Sequence, residues 1–230
     1  MVPMAPKFLT LALITALAGM PAFGAAETAA ERCAKGAVNA DVAACEEALA
    51  ANADDVESHR NMAISLTQAA RYEESIAAFR EVVARRPNDW KAHFDLANGL
   101  DYIRRYAEAV EPIEAAIRLG PSEITIYQAA TVIYSRLRRY EDAMNITRRA
   151  AEHGDPVSMY DMYRFNRYGF GTIADGAKAL KWLNQVAENR HITAMDELAE
   201  AHAMGLLGQD VNDGAAKSWG QRRQKAIEAE

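Results

Sequence analysis

Histidine is the residue type in this sequence best suited to metal binding, and His59 and His93 lie 34 residues apart. The position 34 residues after His93 holds Tyr127, so the spacing does not continue as a ligand pattern. His191 and His202, eleven residues apart on one predicted helix, are too distant from each other to share an ion. We therefore predict no metal site and interpret the column His59, His93 and Tyr127 as a partly buried packing position.

Motifs for covalent or phosphate chemistry do not occur in the sequence. It contains no G-x-S-x-G, no H-E-x-x-H and no glycine-rich phosphate loop. Gly169-Phe170-Gly171 is a G-x-G, but no predicted strand precedes it, so it indicates a turn. Adjacent carboxylates such as Glu73 and Glu74 do not face each other on a helix. We predict no catalytic residue and no cofactor. A hydrolase of envelope polymer is the enzymatic alternative, and the sequence contains no residue constellation that supports it.

The N-terminal stretch has the three-part layout of a secretory signal peptide. Residues 1–24 contain Lys7 and no acid, an apolar run over 8–17, and small residues that lead to Ala22-Phe23-Gly24. The run is short for a membrane span, and no cysteine lies at the cleavage zone as a lipoprotein would require. An uncleaved anchor is the alternative. We predict a signal peptide over residues 1–24 and a periplasmic or secreted protein without a membrane anchor after cleavage.

The two cysteines, Cys33 and Cys45, belong to no C-x-x-C motif, and eleven residues separate them. In an exported chain, one disulfide is the simplest pairing, whereas free buried thiols and a redox-active pair are the alternatives. Closing a loop of this length stabilises a fold by roughly 3 kcal/mol in the chain-entropy model. We predict a disulfide that holds together an N-terminal helical cap over residues 25–55.

One pattern occurs twice between Val56 and Pro121 with a period of 34 residues. The matching columns are Ala63/Ala97, Leu66/Leu100, Tyr72/Tyr106, Ser75/Ala109, Ile76/Val110, Phe79/Ile113 and Pro87/Pro121, and a third pass adds Thr131, Tyr134, Tyr140, Ala143, Met144 and Ala150. This order of small and large residues resembles the tetratricopeptide repeat. The resemblance implies an all-α fold, a right-handed α-solenoid of stacked helix–turn–helix units.

Three such units are predicted over residues 56–156. Apolar spacing and breaker residues predict helices over 56–69, 73–85, 90–103, 107–119, 123–137 and 141–153. Proline and glycine pairs between these helices end one unit and begin the next.

The spacing changes after Pro156. Gly169, Gly171, Asp175, Ala179, Trp182 and Ala187 are followed, some 36 to 37 residues later, by Gly205, Gly208, Ala216 and Trp219 in a similar order. This pattern resembles the Sel1-like repeat, whose glycine-bearing turn needs positive φ angles. The first copy departs from it at Ser158 and Phe165, where the second has Ala194 and Ala201. The resemblance implies two Sel1-like repeats and a C-terminal capping helix over 157–230, which gives about twelve helices in the chain.

In tetratricopeptide proteins the first helix of each unit lines a concave groove that holds a peptide or helix. The equivalent positions here are Arg60, Ile64, Lys91, Phe94, Asp95, Asn98, Asp101, Tyr102, Thr125, Gln128, Val132 and Arg136. Phe94 and Tyr102 are the predicted anchors for a partner. The alternative is that these side chains pack inside the superhelix.

The family's clamp for acidic chaperone tails does not carry over to this chain. Its lysine, asparagine and arginine places are occupied by Arg60, Ile64, Asp95, Thr125 and Ala129, and only Arg60 is suitable. A second candidate surface is an arginine edge formed by Arg71, Arg104-Arg105 and Arg138-Arg139, for which ordinary solvated charge is the favoured interpretation.

The formal net charge of −6 becomes −7 when Lys7 is removed with the leader, and such a chain lacks the basic excess that binds nucleic acid. We predict a non-catalytic scaffold or adaptor in the bacterial cell envelope that binds another protein in the groove. The alternative is an accessory subunit that stabilises an envelope enzyme or a secretion complex. The sequence does not predict the oligomeric state.

Overall fold

A computed structural model describes residues 27–36 and 41–229, and this part of the chain forms twelve α-helices without a strand. The helices are α1 (Ala29–Gly36), α2 (Val42–Ala51), α3 (Val56–Gln68), α4 (Tyr72–Arg85), α5 (Trp90–Tyr102), α6 (Tyr106–Leu119), α7 (Ile124–Arg136), α8 (Tyr140–Glu152), α9 (Pro156–Tyr168), α10 (Gly176–Glu188), α11 (Ile192–Met204) and α12 (Asp213–Ile227). The predicted signal peptide, residues 1–24, lies outside the described residues. None of the twelve helices is both long enough and apolar enough to span a bilayer.

Each helix packs against the next one along the chain. In addition, α1 contacts α3, and α5 contacts α7. Short turns between successive helices produce antiparallel hairpins, and the hairpins stack into an all-α solenoid. The six helices α3–α8 begin and end within one residue of the bounds that the 34-residue period predicts. We call α3, α5, α7, α9 and α11 the first helices of their units, and their common surface the first-helix face.

The core follows the repeat columns. One buried cluster runs from Ala63 on α3 to Phe165 on α9, and a second one joins α9 to α12 around Leu183, Leu198 and Trp219. Alanines at the helix crossings, such as Ala97, are fully buried and let neighbouring helices approach closely. Each unit therefore covers its apolar surface with the next unit rather than with a central core.

The turns between the two helices of each 34-residue unit share one conformation. Ala70, Arg104 and Arg138 adopt left-handed backbone angles, with φ of 58°, 63° and 58°. In each turn the following residue's amide donates a hydrogen bond to a carbonyl of the first helix, as Arg105 does to Leu100 at 2.8 Å. The glycines predicted to need positive φ in the longer turns, Gly169, Gly171, Gly205 and Gly208, do adopt it.

The predicted disulfide between Cys33 and Cys45 is present, with a Cα–Cα distance of 4.4 Å. It joins α1 to α2, and both half-cystines are fully buried. Ala48 and Met62 pack against them, so the small cap rests on α3. Because this cluster contains few apolar side chains, the covalent bond holds together a hairpin that packing alone supports weakly.

Candidate protein-binding surface

A cleft of about 340 Å³ opens on the first-helix face between α3 and α5. Ile64, Phe79 and Tyr102 form most of its apolar wall, and Asp95 and Asn98 add polar atoms. Gly99 forms part of the floor, where a Cβ atom would come within 2.9 Å of the Phe79 ring. We call this depression the α3/α5 cleft.

Tyr102 is the most open aromatic side chain of the α3/α5 cleft, with 64% of its surface exposed. Its ring lies 6.2 Å from the ring of Tyr72 at a tilted angle, which supports it from one side. Asn98 is exposed beside it, and its side-chain amide has no hydrogen bond among the described residues. This pair offers an apolar surface and a free amide to a ligand.

Arg60 has a structural role at the edge of the predicted groove. Its guanidinium lies 2.8 Å from the Asp95 carboxylate on α5, and it also pairs with Glu57 at 2.9 Å and Asp89 at 3.7 Å. The Arg60 side chain is nearly buried. Burial raises the pKa of Asp95, while the charge of Arg60 opposes that rise. Arg60 therefore ties α3 to α5 and is already engaged with carboxylates.

The remaining predicted groove residues differ in how open they are. Phe94 is half-buried, packs on the core and lies 6.1 Å from the ring of Trp90. Gln128 donates a hydrogen bond to Asp155 at 3.1 Å, which joins α7 to the start of α9. Lys91 and Thr125 are exposed, whereas Asp101 is half-buried near the end of α5. The role of these residues in binding a partner stays a prediction.

A second cleft, of about 480 Å³, lies between α7 and α9 and contains the last two predicted groove residues, Val132 and Arg136. Arg164 and Phe165 on α9 and Phe170 in the turn after it complete the walls. We call this depression the α7/α9 cleft. The repeat columns do not place the α9 residues or Phe170 among the groove positions, although the sequence predicts a turn at Gly169-Phe170-Gly171.

The turn that carries Phe170 is fixed by a close backbone approach. A Cβ atom on Gly171 would lie 2.2 Å from the carbonyl oxygen of Tyr140, so no larger residue fits there. The Phe170 ring consequently lies against Tyr140, at a centroid distance of 5.5 Å. Glycine at this position thus sets the wall of the α7/α9 cleft.

A polar network on the same face joins α9 to α11. The carboxylate of Glu197 accepts a hydrogen bond from the Tyr160 hydroxyl at 2.5 Å, and the Tyr163 hydroxyl and the Arg167 guanidinium also bind it. Burial, and then the bond to Glu197, raise the pKa of Tyr160 to about 12. Burial and the bond to Glu197 raise the pKa of Tyr163 as well, so both phenols stay neutral donors at physiological pH, and the network connects the two helices.

The column His59, His93 and Tyr127 is partly to fully buried, as predicted. Each side chain hydrogen-bonds the carbonyl six residues before it: His59 to Ala53 at 2.9 Å, His93 to Pro87 at 2.8 Å and Tyr127 to Pro121 at 2.7 Å. These bonds tie the first helix of a unit to its own entry turn. Within residues 27–36 and 41–229, no three or more histidine, cysteine or acidic side chains are grouped as metal ligands would be.

Three of the five arginines of the arginine edge are paired with acids. The residue that precedes each second helix binds an acid three positions later: Arg71 to Glu74, Arg105 to Glu108 and Arg139 to Asp142, at 2.6, 2.6 and 2.7 Å. Such exposed pairs contribute little to stability, and among the described residues they leave only Arg104 and Arg138 of this edge unpaired. The first-helix face is the better candidate surface.

Two solved MamA structures resemble this chain over most of its length. A MamA double mutant (MamA RS-1 ArsTM) matches at 19% identity with a TM-score of 0.59, covering 71% of this chain and 92% of that one. MamA from residue 41 to the end, from Desulfovibrio magneticus RS-1, matches at 19% identity with a TM-score of 0.58, covering 70% and 90%.

A Sel1 repeat protein from Oxalobacter formigenes also matches, at 21% identity with a TM-score of 0.51, and the match covers 79% of this chain and 76% of that one. Comparisons with protein-family models and with curated proteins gave no match. At such identities the similarity shows the fold, which is an all-α solenoid of tetratricopeptide- and Sel1-like repeats.

Proposed function

We propose that this protein is a non-catalytic scaffold of the bacterial cell envelope that holds a segment of another protein on its first-helix face. The observation that carries the proposal is the α3/α5 cleft, an apolar depression with the exposed Tyr102 ring and the free Asn98 amide side by side. Apolar pockets with a few polar groups at the rim are the usual anchor points for peptide side chains.

The occupant of the α3/α5 cleft is an aliphatic or aromatic side chain of the partner segment. Ile64, Phe79 and Tyr102 supply the apolar contact, and Asn98 hydrogen-bonds the backbone beside that side chain. Arg60 and Asp95 neutralise each other at 2.8 Å, so the cleft takes an uncharged side chain. Phe94 and Lys91 extend the surface along α5, and Gln128 and Arg136 extend it along α7.

Site-specific crosslinking in cells tests this proposal. A photo-crosslinking phenylalanine derivative replaces Tyr102 in one strain and Val211 in another, because both native side chains are 64% exposed. We expect a discrete crosslinked partner at position 102 and none at position 211. The crosslink should also be lost when Asn98→Ala and Ile64→Ala are added. The same crosslinks at both positions, or none at position 102, would argue against the α3/α5 cleft.

We also propose that the protein works outside the cytoplasm. Two observations support this location: the signal-like leader over residues 1–24 and the buried Cys33–Cys45 disulfide. Cell fractionation together with thiol alkylation tests it. We expect a processed chain in the periplasm or medium with no alkylatable thiol. Two free thiols in the native exported protein would contradict the oxidising location.

Copurification of partners with the wild-type chain and with a Tyr102→Ala variant separates the accessory-subunit alternative from the scaffold. A subunit that stabilises an envelope enzyme or secretion complex would copurify in fixed stoichiometry and persist after Tyr102→Ala, because a large interface does not depend on one anchor. A scaffold that recruits a segment would lose its partner in that variant.

A further inference from the structure

The α7/α9 cleft differs from the α3/α5 cleft in its charge. Arg136, at the end of α7, has no carboxylate within ion-pair distance among the described residues, and its guanidinium lies 5.5 Å from the centre of the Tyr106 ring. By contrast, Arg71, Arg105 and Arg139 near the same end of their units each bind an acid. Arg136 is therefore an exposed cation with unused hydrogen-bond donors.

A second cation faces the same cleft with a weak partner. Arg164 on α9 lies 3.4 Å from Asp161, the one carboxylate among the described residues that line the cleft. Burial raises the pKa of Asp161, while the charge and the hydrogen bond of Arg164 oppose that rise. With two arginines and one carboxyl group, the α7/α9 cleft has a net positive charge, whereas the whole chain has a net charge of −6.

The other wall of the α7/α9 cleft is apolar and open. Phe170 and Val132 are 42% and 43% exposed, and Phe165 lies deeper between them and the core. Phe170 cannot move away freely, because Gly171 brings its turn against the backbone of Tyr140. The ring of Tyr168 also lies beside the Phe170 ring, with the two ring centroids 6.0 Å apart. The cleft thus presents a fixed aromatic wall beside two guanidinium groups.

We propose that the α7/α9 cleft binds an internal acidic segment of the partner, in which an aspartate or glutamate is next to an apolar side chain. The carboxylate binds Arg136 and Arg164, since guanidinium groups bind carboxylates through two parallel hydrogen bonds. The apolar neighbour packs against Val132 and Phe170. None of these residues occupies a position of the chaperone-tail clamp. The inference rests on the proposed function, because it names the chemistry of a segment held on the first-helix face.

Selection of random dodecapeptides displayed on phage tests this inference with the full oxidised chain as the target. We expect the enriched peptides to carry an acid next to an aromatic or aliphatic residue. Arg136→Glu together with Arg164→Glu should lower the affinity for a synthetic peptide of this kind about tenfold or more. Changing the peptide's acid to lysine should restore binding to that variant. The affinity of the Arg136→Gln/Arg164→Gln variant, which adds no repulsion, should lie between that of the wild-type chain and that of the charge-reversal variant. An unchanged circular dichroism spectrum verifies that each variant is folded.

The outcomes separate the two proposals. Peptides without an acid preference, or binding that survives the charge reversal, would overturn the acidic-segment inference. If the same peptides are lost in the Tyr102→Ala variant, the proposed function still stands through the α3/α5 cleft. A selection in which no peptide binds more tightly to the wild-type chain than to a variant altered in both clefts would contradict both proposals.

Discussion

Arg60 on α3 and Asp95 on α5 form an ion pair at 2.8 Å that crosses from one repeat unit to the next. The two side chains retain only 10% and 19% of their exposure, so water screens the pair weakly. Arg60→Met keeps the apolar stem but removes the charge, leaving the Asp95 carboxylate without its main partner. We expect a loss of about 2–3 kcal/mol in the free energy of unfolding at neutral pH, measured by urea denaturation.

The pH dependence of that loss follows from Asp95. Burial already raises its pKa in the folded protein, and removal of Arg60 raises it further because Arg60 opposes the rise. Because the pKa of Asp95 is higher in the folded chain than in the unfolded chain, ionisation of Asp95 lowers the free energy of unfolding. Stability is therefore lost as pH rises through the folded-state pKa and regained as pH falls below it. The defect of Arg60→Met should therefore shrink at mildly acidic pH. Arg80→Met, which removes an exposed pair with Glu108, is the matched control and should change stability by less than about 0.5 kcal/mol.

The disulfide should stabilise the cap rather than the whole solenoid. Cys33→Ser together with Cys45→Ser should destabilise α1 and α2 by about 3 kcal/mol, because the bond no longer restricts the unfolded chain and the small apolar cluster around it cannot compensate. We expect limited proteolysis to cleave the variant before Val56 and to leave α5–α12 protected. Unfolding of the entire chain in one step at a much lower temperature would contradict this local role.

The energetic cost of the close backbone approach at Gly171 can be measured with Gly208 as the matched control. Both have positive φ, 71° and 77°, but a Cβ on Gly171 would meet the Tyr140 carbonyl, whereas one on Gly208 would meet nothing within 4 Å. Gly208→Ala should cost about 1 kcal/mol through backbone strain alone. Gly171→Ala should cost at least about twice as much in thermal unfolding, since the clash adds to the same strain. Equal costs would show that the turn relaxes and that Phe170 is not held in place.

The left-handed turns offer a stabilising change. Arg104 and Arg138 have φ of 63° and 58°, which is unfavourable for any residue with a side chain, and both are exposed. Neither side chain forms an ion pair or hydrogen bond within the described residues. We expect Arg104→Gly to raise the free energy of unfolding by about 0.5–1 kcal/mol, measured by urea denaturation. Arg104→Ala is the control: it removes the same charge while keeping the strain, and it should have little effect.

Regular spacing explains which parts of the fold the sequence predicts well. The 34-residue period places His59, His93 and Tyr127 in one column, and the structure confirms that column as a packing position. The period does not show that each polar atom bonds the carbonyl six residues before it, since that depends on the path of the entry turn.

The α7/α9 cleft could not be predicted because it lies where the spacing changes. The approach of Gly171 to Tyr140 joins residues 31 positions apart, across the junction between 34-residue units and the longer units that follow. No column of either repeat aligns Phe170 with Val132. Similarly, repeat position places Arg60 on the groove but does not show that three carboxylates already surround it. Ion pairing between units depends on side chains that the repeat pattern leaves variable.

The bonds from His59, His93 and Tyr127 each join the first helix of a 34-residue unit to the turn before that unit, six residues earlier in the chain. Because this offset repeats with the period, an equivalent turn stands before whichever unit comes next. Duplicating or deleting a whole unit would therefore leave all the remaining bonds of this kind intact. The number of 34-residue units can therefore change, during evolution or by engineering, without loss of local geometry. The specialised junction at Gly171 is the part that such a change must leave untouched.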